Sequence, residues 1–313
     1  MSRSAYAVDP ELLAFAMPEL DRSDVAAARR AYADRIAAAA PADTDGVHVE
    51  NLSCTADDGH PIGLRLYRPE RRTATGAVCH VHGGGFIVGD LEMSHARNIQ
   101  IARLTGAVVI SVDYRLAPEW PYPTPVDDVY RALTWLHDNA AALDVDPGRI
   151  VLHGVSAGGA LAASTALLAR DRQGPPIALQ FLASPVLDDR QTGESHQRFT
   201  GTPALTRAGV GLCWSAYLGS AVADAVSAPA RSPDLAGLPA TYVAVAEFDP
   251  LRDDGIDYAR SLLRAGVRTE LHLFPGTFHG SSVVPGAAIS RRERDEEIAV
   301  LRRAVDHDPR RTS

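Results

Sequence analysis

Lysine is absent from this sequence, in which all 31 basic residues are arginines. That absence excludes a catalytic Schiff-base lysine, a pyridoxal-phosphate lysine and the lysine of a phosphate-binding P-loop. The 39 acidic residues outnumber the arginines and give a formal net charge of -8 at pH 7. Because such a charge would repel the phosphate backbone of a nucleic acid, we expect no nucleic-acid partner.

Cysteines and long apolar runs are also scarce. Cys54, Cys79 and Cys213 are odd in number and widely spaced, which fits neither a disulfide framework nor a thiolate zinc site. No uncharged apolar run approaches the roughly 18 residues that a membrane-spanning helix needs. Residues 1–25 lack the features of a secretory signal. We therefore expect a cytoplasmic protein without a membrane span, whose cysteines are small core residues in a reducing compartment.

Length and composition are those of a folded globular chain. Of the 313 residues, 46% are hydrophobic and 22% are charged. A chain of this length can form one large α/β domain with a small accessory piece.

Short apolar runs alternate with helical stretches along most of the chain. Strand-like runs occupy residues 47–55, 61–68, 77–81, 107–113, 150–153, 177–183, 241–246 and 269–274. Helical stretches occupy residues 10–17, 23–40, 94–105, 126–142, 157–170, 206–218 and 253–265. This alternation predicts a mainly parallel sheet covered by helices on both faces. The turn Asp58-Gly59 predicts a hairpin between the first two strands.

The alternation is interrupted at 116–125, which carries four prolines, and at 187–238. Two segments are expected to lie outside the core. The helical stretches before residue 41 precede the first strand, and the connection 187–238 is unusually long for a compact domain. We expect both segments to pack as a lid over a site.

The first motif with chemical meaning is GVSAG at residues 154–158, between a strand-like run and a helical stretch. A sharp strand-to-helix turn lifts a serine hydroxyl above the edge of the sheet, and glycines are needed where a Cβ would collide with the turn. The N-terminus of the following helix favours negative charge near the serine. This setting predicts that Ser156 is a nucleophile.

The second motif is HGGGF at residues 82–86, directly after a strand-like run. Three consecutive glycines leave backbone N–H groups free to point at a ligand, as an oxyanion hole requires. The alternatives are a flexible turn and a phosphate-binding loop, but the lysine of such a loop is missing. We favour the oxyanion hole.

Together these motifs resemble those of the hormone-sensitive-lipase-like, family IV type carboxylesterases. HGGG at 82–85 and YRLAPE at 114–119 match motifs of that family, and the resemblance extends from about residue 64 to residue 279. The serine motif departs from the family at Val155 and Ala160, where Asp and Asn are usual. Neither position belongs to a catalytic triad, so we expect the chemistry to be retained.

The resemblance implies a role for individual residues. Ser156 is implied as the nucleophile, Asp249 in EFDPLRD at 247–253 as the acid, and His279 in GTFHG at 276–280 as the base. The order Ser, Asp, His along the chain is that of the α/β-hydrolase fold. The implied oxyanion hole consists of the N–H groups of Gly84, Gly85 and Ala157.

The implied fold is the α/β-hydrolase fold, with a mostly parallel central sheet, helices on both faces and a small helical cap. The expected segments are an N-terminal cap segment at 1–45, core at 46–186, a second cap segment at 187–238, and core at 239–313. Four aromatic side chains are expected to shape a substrate pocket, with core packing as the alternative: Phe86, Phe199, Trp214 and Tyr217.

The other titratable residues near the motifs have simpler interpretations. We expect His153 to pack within its strand and His82 to brace the glycine segment through hydrogen bonds. The acidic residues at 253–254 are expected at a helix N-terminus. The carboxylate pairs at 127–128 and 188–189 are expected to be solvated or to cap helices.

The implied function is hydrolysis of short- to medium-chain acyl esters through an acyl-enzyme, with a small-molecule ester as partner and with no cofactor and no metal. Two alternative functions are left open. One is a deacetylase or amidase that acts on a specialised metabolite, and the other is a non-catalytic small-molecule receptor on the same fold, against which the presence of His279 argues. The oligomeric state also stays open, and a homodimer is one candidate state.

Overall fold

A computed structural model describes residues 6–15 and 19–306, which are organised around an eight-stranded sheet. The strands are β1 (Val47–Thr55), β2 (Pro61–Pro69), β3 (Ala77–Val81), β4 (Val108–Asp113), β5 (Ile150–Val155), β6 (Leu179–Ala183), β7 (Thr241–Phe248) and β8 (Thr269–Phe278). Their spatial order is β1-β2-β4-β3-β5-β6-β7-β8. Strand β2 is antiparallel to β1 and β4, and the remaining pairs are parallel. The predicted fold class and the predicted hairpin are confirmed.

Helices cover both faces of this sheet. They are α1 (Pro10–Leu13), α2 (Val25–Ala38), α3 (His95–Thr105), α4 (Thr124–Asp138), α5 (Ala157–Asp171), α6 (Glu194–Arg198), α7 (Arg207–Leu218), α8 (Arg252–Arg264) and α9 (Ala288–Val305). Apolar side chains of α4, α5 and α8 pack in the core on one face, and those of α3 and α9 pack on the other. The alternating side-chain directions of each strand supply both cores.

Three strands extend two or more residues beyond their predicted ends. Strand β5 continues to Val155, β7 to Phe248 and β8 to Phe278. Pairing with parallel neighbours maintains these extensions, as in the register of Phe248 with Phe278. The sequence pattern misses the end of β8 because a proline and a glycine interrupt it.

The helix α9 is absent from the sequence prediction. Charged residues occupy nine of its 18 positions, and five of its side chains are buried. The short helix α6 also escapes prediction. By contrast, the helix predicted over 10–17 is shorter than expected: it ends at Leu13, and part of the predicted range lies outside the described residues.

Two sequence expectations about the whole chain have structural counterparts. Among the described residues, no helix combines the length and the apolar character that crossing a membrane requires. Cys54, Cys79 and Cys213 are all free and buried, in agreement with their predicted place in the core.

Candidate active site

Ser156 forms a sharp turn between β5 and α5. Strand β5 ends at Val155 and α5 begins at Ala157, so Ser156 alone connects them. Its backbone has φ 57° and ψ -119°, a conformation that residues other than glycine rarely adopt. The Ser156 N–H donates to the Ala183 carbonyl of β6 at 2.8 Å, which helps to hold this strained turn.

Two glycines beside Ser156 are required by close backbone contacts. A Cβ on Gly154 would lie 2.2 Å from the Gly158 carbonyl oxygen. A Cβ on Gly158 would lie 2.2 Å from the Val81 carbonyl oxygen and 2.4 Å from that of His82. Both positions therefore exclude any larger residue, and Gly158 allows the end of β3 to lie directly against the N-terminus of α5.

Three sequence-predicted residues meet at the carboxyl edge of the sheet. Asp249 directly follows β7 and His279 directly follows β8, its parallel neighbour. His279 Nε2 lies 3.0 Å from Ser156 Oγ, and His279 Nδ1 lies 2.7 Å from Asp249 Oδ2. Asp249 is 1% exposed, and its Oδ1 accepts the Leu251 N–H at 2.9 Å. An imidazole in line between a hydroxyl and a buried carboxylate can take the hydroxyl proton.

The glycine segment after β3 forms a tight turn. Gly84, Gly85 and Phe86 have φ values of 101°, 64° and 66°. The Gly84 carbonyl accepts the N–H groups of Ile87 and Val88 at 3.3 and 3.1 Å, which closes the turn. Positive φ is readily adopted by the glycines at 84 and 85, whereas it is unfavourable for a bulky residue such as Phe86.

His82 and Tyr114 support the start of this turn. The Tyr114 hydroxyl is 3.0 Å from the His82 carbonyl and 3.1 Å from the Gly83 carbonyl, and the two rings stack 4.3 Å apart. His82 Nδ1–H donates to the Gly83 carbonyl at 2.9 Å, and burial lowers the pKa of His82 to about 4. A Cβ on Gly83 would lie 3.3 Å from Ser156 Cβ, so the turn lies against the serine. The predicted bracing role of His82 is confirmed.

A cavity of about 690 Å³ opens beside Ser156 and His279. The glycine turn contributes Gly83, Gly84 and Gly85 to its wall. The segments expected to form a lid contribute Leu20, Tyr32, Ile36, Leu205 and Val210. Val155, one of the two departures from the family motif, also lines it. The serine and the imidazole therefore face a largely apolar space that both expected lid segments border.

The wall of this cavity, as far as the described residues form it, contains none of the four aromatic side chains expected there. Phe86 stacks on Tyr217 with ring centroids 4.1 Å apart, and Trp214 lies 5.8 Å from Phe86. Phe199 packs edge-on against Phe248. The expectation is corrected: all four rings are buried, Phe86, Trp214 and Tyr217 against one another and Phe199 in a separate cluster with Phe248.

A chain of buried and partly buried polar side chains borders the cavity beneath α3 and α9. His80 on β3 and His153 on β5 are each 1% exposed, and their Nδ1 atoms are 2.7 Å apart. His153 Nε2 lies 3.1 Å from Glu297 Oε1 on α9, and Glu297 Oε2 accepts Arg97 Nη2 at 2.6 Å. His153 packs within its strand as predicted. Its acidic partner was missed because α9 was not predicted.

Burial acts differently on the titratable groups of this polar chain and on Glu293, which precedes Glu297 by four residues on α9. Burial, reinforced by the nearby Glu297 carboxylate, raises the pKa of Glu293 to about 8. Burial would also raise the pKa of Glu297, but Arg97 and His153 together lower it to about 2. Burial and the adjacent His153 lower the pKa of His80 well below its usual value. At pH 7, Glu297 is therefore ionised, whereas Glu293 largely keeps its proton.

Two acidic residues have structural partners that the sequence did not indicate. Asp128, expected to be solvated or to cap a helix, is fully buried and accepts N–H groups of Arg115 at 2.9 and 2.7 Å. Asp254 lies at the start of α8 as expected, but it is buried and 2.9 Å from His196 Nε2. Among the described residues, no three His, Cys, Asp or Glu side chains form a group that could hold a metal ion.

Comparisons with known proteins agree with this architecture. A family model described as the α/β-hydrolase fold matches residues 78–282. The esterase LipI of Mycobacterium tuberculosis is 40% identical over 253 residues, which is 79% of this chain and 79% of LipI. The carboxylesterase NlhH of the same species is 38% identical over 275 residues, 83% of each chain.

A solved structure titled bacterial heroin esterase is similar over nearly the whole chain. Its TM-score is 0.93 at 42% sequence identity, with 96% of this chain and 99% of that chain covered. The likeness therefore includes the segments before and after the residues that the family model matches.

Proposed function

Since the chain belongs to the α/β-hydrolase family and, within it, to the hormone-sensitive-lipase-like carboxylesterases, we propose that it hydrolyses short- to medium-chain acyl esters with Ser156 as the nucleophile. His279 acts as the general base and Asp249 orients it. The observation that carries this proposal is the line of contacts from carboxylate to imidazole to hydroxyl, at 2.7 and 3.0 Å.

In the first half-reaction, Ser156 Oγ bonds to the ester carbonyl carbon while His279 Nε2 takes the hydroxyl proton. The carbonyl π electrons move to the oxygen, which the N–H groups of Gly84, Gly85 and Ala157 stabilise. The C–O bond to the alcohol then breaks as the carbonyl re-forms, and His279 gives its proton to the leaving oxygen. Ala157 begins α5, so the positive end of the helix dipole adds to this stabilisation.

In the second half-reaction, a water molecule attacks the acyl-enzyme and gives its proton to His279. The acid leaves when the bond to Ser156 breaks, and the proton returns to the serine oxygen. Asp249 accepts the Nδ1–H throughout and stabilises the imidazolium. Its burial and its bond from the Leu251 N–H hold the carboxylate in one orientation.

The proposed substrate size follows from the cavity and the cap. We propose that the segments 1–45 and 187–238 form a cap over the core segments 46–186 and 239–313. Side chains from both cap segments restrict an apolar space of about 690 Å³. A space of this size suits acyl groups of short to medium length better than long-chain triglycerides.

The comparisons favour neither alternative function, since the named relatives are esterases rather than amidases or receptors. The proposed chemistry needs no cofactor and no metal. We also propose a cytoplasmic location, which the free, buried cysteines support. A homodimer stays a prediction.

Covalent labelling and turnover test this function together. A fluorophosphonate should label the wild type at Ser156, and Ser156→Ala should lose both the label and about a million-fold in ester turnover. Ser164→Ala is a matched control, because Ser164 is a buried serine on α5. Labelling that persists in Ser156→Ala, or an unlabelled and inactive wild type, contradicts the proposal.

A further inference from the structure

The cap helix α2 reaches the glycine turn through one arginine. Arg29 Nε donates to the Ile87 carbonyl at 2.8 Å. Arg29 Nη2 donates to the Ala117 carbonyl at 3.0 Å, and the Ala117 N–H donates to the Phe86 carbonyl at 2.9 Å. Arg29 therefore contacts the turn directly, next to Phe86, and a second time through the neighbouring segment.

Glu119 fixes the plane of this guanidinium. Its Oε1 accepts Arg29 Nη1 at 2.8 Å, and its Oε2 accepts Nη2 at 2.7 Å. The two side chains are 34% and 55% exposed, so the ion pair itself adds little to the free energy of unfolding. Its physical effect is to orient the nitrogen atoms that bind the two carbonyls.

The turn depends on contacts from outside because its backbone is strained. Phe86 has φ 66°, and a non-glycine residue keeps such a conformation only where its surroundings hold it. On the core side, the Phe86 ring stacks on Tyr217. On the cap side, α2 supplies Arg29 and, three residues later, Tyr32, whose hydroxyl donates to Asp90 at 2.6 Å.

We propose that Arg29 is a positioning residue for the oxyanion hole. By holding the Ile87 and Ala117 carbonyls, it sets the direction of the Gly84 and Gly85 N–H groups and makes their geometry depend on the docking of α2. This inference rests on the proposed function, in which those N–H groups stabilise the oxyanion. Arg29 itself is not part of the cavity wall.

Such a role affects the transition state more than substrate binding. The N–H groups act most strongly when charge develops on the carbonyl oxygen, whereas the acyl group binds against the apolar wall of the cavity. Displacement of catalytic groups by about 1 Å can cost on the order of 100-fold in rate. Arg29 uses four N–H donors in one plane, which the single ammonium of lysine does not reproduce.

The test compares Arg29→Met, Arg29→Lys and Glu119→Gln with Arg30→Met, a change at the exposed neighbouring arginine of α2. For each variant, kcat and KM are measured with p-nitrophenyl acetate, well below the melting temperature and per enzyme molecule that a fluorophosphonate titrates. Inhibition by a trifluoromethyl ketone reports the oxyanion hole separately, since Ser156 adds to it and forms a hemiketal oxyanion.

For Arg29→Met we expect kcat to fall by about 10- to 100-fold while KM changes by less than about threefold. The inhibition constant of the ketone should rise by a factor similar to the loss in kcat/KM. Arg29→Lys should not restore activity. Glu119→Gln should have a smaller effect, and none beyond that of Arg29→Met when the two are combined, because Glu119 acts through Arg29.

Two results overturn this inference. In one, Arg29→Met and Arg29→Lys match Arg30→Met in kcat and in ketone inhibition. In the other, kcat falls but the ketone binds as tightly as before. If Arg29→Met does not fold, Arg29→Lys and Glu119→Gln apply the same criteria. The proposed function fails separately, through a wild type that is neither labelled nor active, whereas a labelled wild type that fails the Arg29 criteria contradicts only the positioning role.

Discussion

Alanine substitutions in the glycine turn should separate the cost of positive φ from two kinds of overlap, with a backbone atom at Gly84 and with a side-chain atom at Gly85. A Cβ on Gly84 would lie 1.9 Å from the Val88 carbonyl oxygen, and a Cβ on Gly85 would lie 2.3 Å from Cys213 Sγ. Gly46 also has positive φ, at 72°, but apart from its chain neighbours no described residue has an atom within 4 Å of its Cβ position. Gly46→Ala therefore measures the cost of positive φ alone.

The magnitudes follow from these contacts. Gly46→Ala should lower the free energy of unfolding by about 1–2 kcal/mol. Gly85→Ala should lose about 1–3 kcal/mol more through overpacking. Adding Cys213→Ala removes the sulfur and leaves the Cys213 Cβ 3.5 Å away, so most of that additional loss should be recovered relative to Cys213→Ala alone. No side-chain deletion can relieve the overlap in Gly84→Ala, because the new Cβ would contact the Val88 carbonyl oxygen of the backbone.

Urea unfolding measures these stabilities, and hydrolysis of p-nitrophenyl acetate measures the effect on the oxyanion hole. Gly84→Ala should lower kcat by about 100- to 1000-fold, as the loss of one oxyanion donor does. Gly46→Ala should leave kcat unchanged. The reasoning is refuted if Gly84→Ala behaves like Gly46→Ala, or if removal of the Cys213 sulfur returns none of the stability that Gly85→Ala loses.

Three further substitutions test other parts of the structure. Arg115→Met leaves the buried Asp128 carboxylate without its partner and should cost about 3–5 kcal/mol in urea unfolding, whereas a loss below about 1 kcal/mol contradicts the buried ion pair. Glu293 has a pKa of about 8 when folded against a usual value of 4.5, so wild-type stability should fall as the pH rises between these values. Glu293→Gln should raise the melting temperature above pH 8, with a difference that vanishes near pH 4 in a thermal melt series. Val210→Trp fills the cavity and should reduce hydrolysis of p-nitrophenyl octanoate relative to the acetate, while Val222→Trp at a 90% exposed position should not.

The two glycine-containing motifs could be identified from the sequence because local backbone geometry demands particular residue types there. Gly154 and Gly158 exclude a Cβ at 2.2 Å from backbone oxygens, and Gly84 and Gly85 have positive φ. Requirements of this kind concern a few consecutive residues and leave a recognisable pattern. The alternation of strands and helices is local in the same way, so the fold class was also predictable.

Asp249 and His279 were assigned through the family resemblance rather than through local chemistry. Glu247 and Asp253 lie in the same segment as Asp249, and composition alone does not rank them. Their contacts differ in the folded chain: Glu247 accepts the Gly276 N–H at 2.7 Å, while Asp249 faces the imidazole. Only the parallel pairing of β7 with β8 brings the two loops together.

By itself, the sequence determined the sheet-and-helix order, the serine turn and the glycine turn, since each depends on neighbouring residues. Only the tertiary structure decided which side chains surround the site. It placed four expected pocket aromatics in the core, buried Asp128, and brought Arg29 against the Ile87 carbonyl 58 residues away in the chain. It also joined His153 to Glu297 on α9, a helix that the sequence analysis did not predict. Such contacts depend on the packing of distant elements, and a residue's type does not specify which partner it will meet.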